Sequence, residues 1–459
     1  MRVAYLSPLP PRPSGIADYS AELLPELARR WAVDVYTEAD YRPAAPWEEA
    51  PSVAEFRRRA GDYDAVVYQI GNHPHFHGAL YDCALEIPGT VVLHEVVLHH
   101  MVRERTVVAG NIAAYLETLR YCCGPTGYRL GRRMVTSGLP VDPFRYPLFE
   151  RLVDRSRGVI VHSEAARRRI LASRPAAAVE VVRQHFHLRP EETAGEAGGK
   201  AGARQQLDLD PDTLVVATFG FLSRPKRIEI CLRAFQRLRR AHPEALFVLA
   251  GDADPQLDLD RLLAGELGCG VRWLGRTPMA DFQRWMRAAD IALNLRHPTA
   301  GETSAALMRL LALGKAVVVS DGGSFAEIPE GCCFKVEPGA GEVELIARAL
   351  VLLAADRDLR RRLGRNARRY MAEAHTVGHA ADAYGTALER FGSRPAAPFR
   401  PRPPLLSYPV ADLDSEWFER IGRHLADLGI EEGQEDLIAG VCEHLVELGA
   451  RAEPEVGED

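Results

Sequence analysis

Two doubly wound α/β domains facing a cleft, followed by a small acidic helical extension, are the fold class this sequence predicts. Three observations carry that reading. Short β-branched runs alternate with longer amphipathic stretches. The alternation occurs twice, with a polar, glycine-rich seam between the halves. Beyond a proline-rich strap the composition turns sharply acidic. The runs are four to six residues long and mostly apolar rather than alternating, which fits strands covered on both faces, as in parallel sheets. The order strand–helix–strand, repeated, is that of doubly wound domains.

The first series of predicted strands is Val3–Ser7, Val33–Thr37, Ala65–Ile70, Thr90–His94 and Gly158–His162. The second is Leu214–Phe219, Ala245–Ala250, Val271–Leu274, Ile291–Leu295 and Ala316–Ser320. Helices are expected over Asp18–Trp31, Arg227–Arg240 and Thr303–Leu313. In the middle one Ile228, Cys231, Leu232, Phe235 and Leu238 share a face. Arg189–Gly202 has no apolar period and reads as a linker or mobile loop. Gly392–Pro409 holds six prolines, which exclude helix and favour an extended strap. Past it, Trp417, Ile421, Leu425 and Leu428 fit one amphipathic helix, and Leu437, Val441, Leu445 and Leu448 a second.

Composition narrows the class. The chain has 459 residues, 47% hydrophobic and 26% charged, ordinary globular values that exclude a mainly disordered chain. No apolar run approaches the ~20 residues of a spanning helix, and the N-terminus lacks a signal-peptide pattern. A cytoplasmic protein is expected, peripheral at most to the inner membrane face. The eight cysteines include the adjacent pairs Cys122–Cys123 and Cys332–Cys333 and no C-x-x-C, so they read as small buried apolar residues. The net charge of −6 hides an asymmetry. Residues 411–459 carry fifteen acids against three arginines, whereas Met101–Ile170 carries thirteen arginines against six acids. The basic stretch suits anionic lipid, a phosphorylated substrate or the acidic tail; the plainer alternative is solvated helix faces with ordinary ion pairs.

In doubly wound sheets ligands sit beyond the carboxyl ends of the strands. After the first strand Gly15 closes a proline-rich loop at a helix start, where backbone N–H groups can meet an anion. The plain alternative is an ordinary loop with Asp18 near the cap. After Thr90–Leu93 come His94 and Glu95; a histidine there can serve a sugar hydroxyl or be a structural residue. After Leu214–Phe219, the segment Gly220-Phe-Leu-Ser-Arg-Pro-Lys-Arg227 brings Arg224, Lys226 and Arg227 to a helix start, a diphosphate site without the Walker pattern. After Ile291–Leu295, Glu302 stands before the apolar helix. There it can bind hydroxyls or simply favour the helix dipole. His73, His75 and His77 alternate as metal ligands can, but Pro74 intervenes and no carboxylate lies in the segment. The Asp-x-Asp pairs at Asp208, Asp252 and Asp258 read as solvated loops.

Taken together, PSGIADYS, His94-Glu95, VHSEAARRRI, FGFLSRPKRIE and HPTAGETSAALMRLLALGKAVVVSDGGSFAEIP resemble the retaining glycosyltransferases of GT-B architecture, family GT4 (glycosyl transferases group 1), over Met1 to Phe391. The resemblance implies that His94, Lys226 and Glu302 are catalytic. It implies donor contacts from Gly15, Gly220, Arg224, Lys226, Arg227, Glu302 and the segment Thr303, Ser304, Ala305 and Ala306. Lys226 would meet the leaving diphosphate; His94 and Glu302 would touch the transferred sugar. Two positions depart from the family pattern: Leu310 replaces the second glutamate of E-x7-E, and Phe221 replaces the arginine after the glycine.

The division that follows is an N-terminal acceptor domain over 1–188, a linker over 189–213 and a nucleotide-sugar donor domain over 214–374. A helix over 375–391 returns to the first domain, followed by the strap over 392–410 and the extension over 411–459. The expected activity is retaining transfer from a nucleoside-diphosphate sugar, a co-substrate, with no metal and no bound cofactor. The acceptor is a glycan, a lipid-linked sugar or a small molecule; nucleic acid is not a partner. The acidic tail docks intramolecularly or on a protein. The alternatives are a non-hydrolysing sugar-nucleotide epimerase of the same fold, a non-catalytic adaptor and a sugar phosphorylase.

Overall fold

The computed structural model describes residues 1–138, 140–186 and 199–392. The expected strap and acidic extension, with their proposed docking, lie outside the described residues.

Two six-stranded, all-parallel sheets build the chain. The first comprises β1 (Arg2–Leu6), β2 (Ala32–Tyr36), β3 (Ala65–Ile70), β4 (Thr90–Leu93), β5 (Gly158–Val161) and β6 (Val179–Val181), in the order β2-β1-β3-β4-β5-β6. The second comprises β7 (Val215–Phe219), β8 (Leu246–Ala250), β9 (Val271–Gly275), β10 (Ile291–Asn294), β11 (Ala316–Ser320) and β12 (Phe334–Val336), in the order β12-β11-β10-β7-β8-β9. The strand order reverses between β1 and β3 in one sheet and between β7 and β10 in the other. Those switch points are where a doubly wound sheet opens a crevice for a ligand.

Helices cover both faces of the second sheet, giving two cores. Ile228, Leu232, Phe235 and Leu350 pack with Val216, Phe247 and Leu293 on one side. Leu307, Leu311, Met308 and Trp285 pack with Ala217, Val317 and Val248 on the other. The Val377–Gly392 helix packs on the first sheet, where Tyr384, Ala381 and Leu388 join Val3, Tyr5, Leu23 and Val67. Gly158 has no side chain because the Phe391 ring lies there: a Cβ would come 2.3 Å from it.

Two expectations change. The Gly199–Gln206 segment, read as linker, is helical, and its Lys200 and Arg204 both pair with Asp290 at the start of β10. Residues 113–141, expected inside the first domain, fall in a separate compact unit. Its helix bends at Gly124, whose φ is 64°. The arginines of the basic stretch are partly spent internally: Arg105 pairs with Asp82, and Arg155 donates to Leu85 O at 2.8 Å. Among the described residues no helix is long and apolar enough to cross a membrane.

Candidate active site

The first domain supplies one wall of the cleft. Ser14 caps the Gly15–Ala28 helix, its hydroxyl accepting from Ile16 N–H at 3.2 Å. Gly15 is exposed, and a Cβ there would meet nothing within 4 Å. The helix N-terminus is thus open to an approaching anion.

His94 follows β4. Its Nε2–H donates to Gln69 Oε1 at 2.7 Å, its Nδ1 lies 3.2 Å from His162 Nε2, and the Tyr19 ring stands edge-on at 4.9 Å. Burial and His162 hold its pKa well below the usual 6.5. Both ring nitrogens lie beside protein groups, so a hydroxyl would meet the His94 Nε2 in competition with Gln69. The next residue, Glu95, accepts from Asn72 N–H at 2.9 Å. Burial raises its carboxyl to about 7; the charge of Glu302 adds to this and Arg296 opposes it.

The second domain supplies the other wall. Gly220 has φ of 83°, and a Cβ would sit 3.0 Å from Lys226 Nζ, so glycine serves both conformation and space. Lys226 is 6% exposed and donates to Phe219 O at 2.5 Å. Burial and Arg296 push its pKa well below the usual lysine value, and no carboxylate pairs with it among the described residues. A buried ammonium with one carbonyl acceptor is short of negative charge. Arg224 is exposed. Arg227, expected at the diphosphate, has its guanidinium paired with the buried Glu342, Nε to Oε2 at 3.1 Å. Phe221 is 55% exposed, whereas Leu310 is 1% exposed within the core. The fold therefore buries the position where the family pattern has its second glutamate.

Glu302 lies before the helix rather than in it. The helix runs Ala305–Ala312 with Ser304 as its cap, so Thr303 and Ser304 belong to the approach. Glu302 Oε1 lies 2.9 Å from Arg296 Nε, and Oε2 accepts from the Thr299 hydroxyl at 2.9 Å. Its carbonyl accepts from the Ser324 hydroxyl at 2.7 Å. Thr303 Oγ1 and Asn294 Nδ2 are buried without a hydrogen-bond partner among the described residues. The N–H groups of Ala305 and Ala306, at the helix start, have no acceptor among the described residues. The Lys226 and Glu302 loops are tied by His297 N–H to Pro225 O at 2.8 Å.

The two walls meet at these loops. Val96 N–H donates to Ala300 O at 2.7 Å, and Gly301, with φ of 81°, would place a Cβ 2.7 Å from Val96 Cγ2. Sequence reasoning missed the residues that hold Glu302, namely Arg296, Thr299 and Ser324, and the Gln69–His162 pair that holds His94. Arg296 and Thr299 share the loop of Glu302, whereas Ser324, Gln69 and His162 reach their partners from other segments and have no local signature.

The alternating histidines are dispersed by the helix that begins at Pro74. His77 is buried and donates from Nδ1 to Gln69 O at 3.0 Å, while His73 stacks on Phe76 at 3.9 Å. Among the described residues no group of three could hold a metal ion. Two of the Asp-x-Asp segments make turns: Asp210 accepts from Asp212 N–H and Asp254 from Gln256 N–H.

Comparison with known proteins identifies the fold. Residues 213–356 match the family described as Glycosyl transferases group 1. Sucrose-phosphate synthase of Thermosynechococcus elongatus is similar in structure, with a TM-score of 0.60 at 17% identity, over 85% of this chain and 98% of that one. The Anabaena protein HepE, solved with UDP and glucose, has a TM-score of 0.56 at 18% identity, over 85% and 100%. WaaG, a glycosyltransferase involved in lipopolysaccharide biosynthesis, has a TM-score of 0.52 at 16% identity, over 83% and 98%. The fold is GT-B. No curated protein sequence matches the chain.

Proposed function

We propose that this chain is a group 1 glycosyltransferase, which transfers a sugar from a nucleoside-diphosphate donor to an acceptor hydroxyl, with retention of configuration and without a metal ion. One observation carries the proposal. Lys226 is a buried lysine with no carboxylate paired to it among the described residues, in a loop tied to the one before the helix whose first amides, at Ala305 and Ala306, have no acceptor among those residues. A diphosphate would satisfy both.

Transfer breaks the bond between the anomeric carbon and the phosphate oxygen. The electron pair leaves with the diphosphate, where Lys226 and the helix N-terminus meet the growing charge. The sugar gains oxocarbenium character. Glu302, fixed by Arg296 and Thr299, faces it from the second domain, and Glu95 adds a carboxyl from the first. Retention results when the acceptor enters on the face the diphosphate vacates, its proton passing to the departing phosphate oxygen. HepE was solved with UDP and with UDP-glucose, which makes uridine donors the first to test.

The experiment is thermal denaturation with UDP, GDP, ADP and their sugars, followed by mass spectrometry of released sugar in the presence of EDTA. A ligand at a hundred times its dissociation constant adds about 2.7 kcal/mol of stability. Stabilisation by one nucleotide, with slow EDTA-resistant release of free sugar, is the expected result. Release of a 2-epimeric nucleotide sugar would establish the epimerase instead, and no response to any nucleotide would remove the proposal.

A further inference from the structure

The Glu164–Ser173 helix of the first domain begins with three amides that its own backbone cannot satisfy. Ser163 Oγ takes the Ala166 N–H at 3.1 Å. The other two are taken from across the cleft: Glu164 N–H donates to Glu327 Oε2 at 3.0 Å and Ala165 N–H to Glu327 Oε1 at 2.7 Å. One carboxylate of the second domain thus grips two successive amides at the positive end of a first-domain helix, where a negative charge is favoured.

Glu327 ends the short turn Gly323–Glu327. The same turn carries Ser324, whose hydroxyl donates to the Glu302 carbonyl at 2.7 Å. It also carries Gly323, with φ of 57°, where a Cβ would fall 2.5 Å from Thr299 Cγ2. Thr299 in turn donates to the Glu302 carboxylate, and its carbonyl accepts from Arg169 Nη1 at 3.4 Å. Arg169 belongs to the helix whose first amides Glu327 holds. A single first-domain helix is therefore attached to both segments that orient Glu302: the turn through Glu327 and the loop through Thr299.

We propose that Glu327 is a positioning residue that couples closure of the two domains to the orientation of Glu302. Glu327 touches neither donor nor acceptor in this scheme. With the domains apart its carboxylate loses both amides, the turn is released, and Ser324 and Thr299 no longer hold Glu302 from two sides. Its part in catalysis rests on the transferase reading above; the clasp itself does not.

The test pairs amide hydrogen exchange with kinetics on the full chain. In Glu327→Gln one carboxylate oxygen becomes an amide nitrogen that cannot accept, with little change of shape. Exchange at Glu164 and Ala165 should quicken roughly tenfold, the scale of one lost charge-assisted hydrogen bond. The Val96 amide, bonded to Ala300 on a different loop, should quicken with them, because it reports closure rather than the substituted site. Where a donor is turned over, kcat should fall by a similar factor with a smaller change in KM, and Glu327→Asp, which keeps both oxygens, should recover part of it. Unchanged protection at Val96 in a folded Glu327→Gln protein would overturn the clasp, whatever the activity. Quickened exchange in a protein that turns over no donor would uphold the clasp and remove the transferase reading instead. Should Glu327→Gln not fold, the same Val96 measurement on Glu327→Asp decides the question, since the shorter side chain cannot span both amides equally.

Discussion

Lys226 and Glu95 are both charged groups held away from water, and each tells what the cleft is built to receive. Lys226 spends its ammonium on one carbonyl, and burial disfavours its charge. A departing diphosphate reverses that balance, so the interaction strengthens as the bond breaks. Lys226→Ala should lower kcat by about 10²–10³ while the fold survives. Steady-state kinetics beside circular dichroism checks both, and undiminished turnover would dismiss the phosphate site. Glu95, raised to about 7 by burial and Glu302, binds a proton in the folded chain between its unfolded value of 4.5 and 7. Stability therefore falls as pH rises through that window. Glu95→Gln removes the titration and should be more stable than the parent at pH 8 by about 1–3 kcal/mol, with little difference at pH 4.5. Equal melting curves at both pH values would mean that the carboxylate is solvated.

At the scale of elements, the longer strands were legible because their runs are mostly apolar and β-branched, the edge strands Ala32–Tyr36 and Val271–Gly275 included. The edge strands Val179–Val181 and Phe334–Val336 were not: at three residues each, they form only because a neighbour supplies the ladder. The Gly199–Gln206 helix was hidden by its weak apolar content, since what holds it is Asp290, supplied by a distant element. Loops after β7 and β10 could be located from the glycines and basic residues, but not what their side chains face. Arg227 looks like Lys226 in sequence, and only Glu342, over a hundred positions on, draws it away. The same holds for Gly301, whose role lies in another domain. A methyl group there would press on Val96 and strain a backbone with φ of 81°. Gly301→Ala should leave nucleotide binding to the second domain largely intact while cutting transfer at least tenfold, as when a closing contact is displaced. Titration calorimetry with the nucleoside diphosphate, set against kcat, separates the two; an equal loss in both would place Gly301 in donor binding instead.

On the scale of the whole molecule, the floor of the first domain is a cluster of neutral histidines. Burial holds His77 and His162 at about 4 and His185 at about 3, and His94 lies well below its usual value. The Tyr19 ring touches three of them, at 4.2 Å from His185, 4.9 Å from His94 and 5.3 Å from His162. Tyr19 also meets Tyr384 of the Val377–Gly392 helix at 3.0 Å between hydroxyls. Acid therefore acts where that helix is fastened. Between 6.5 and about 4 the unfolded chain binds protons at these rings that the folded chain refuses. Stability is complete above 6.5 and drains as pH falls toward 4, with Glu95 working in the opposite direction over part of the range. Each tenfold loss of proton affinity at a ring corresponds to about 1.4 kcal/mol. Whole domains have only about 5–15 kcal/mol to lose, so several such rings outweigh one carboxyl. The first domain should melt before the second at pH 5, giving two calorimetric transitions that merge near pH 7.5. His162→Gln, which has no proton to gain, should show a shallower fall of the lower transition with pH even if it starts less stable at pH 7.5. A lower transition that stays level from pH 7.5 to 5 in the parent protein would mean that the rings are already charged in the fold, and the floor of the cleft would then be cationic rather than neutral.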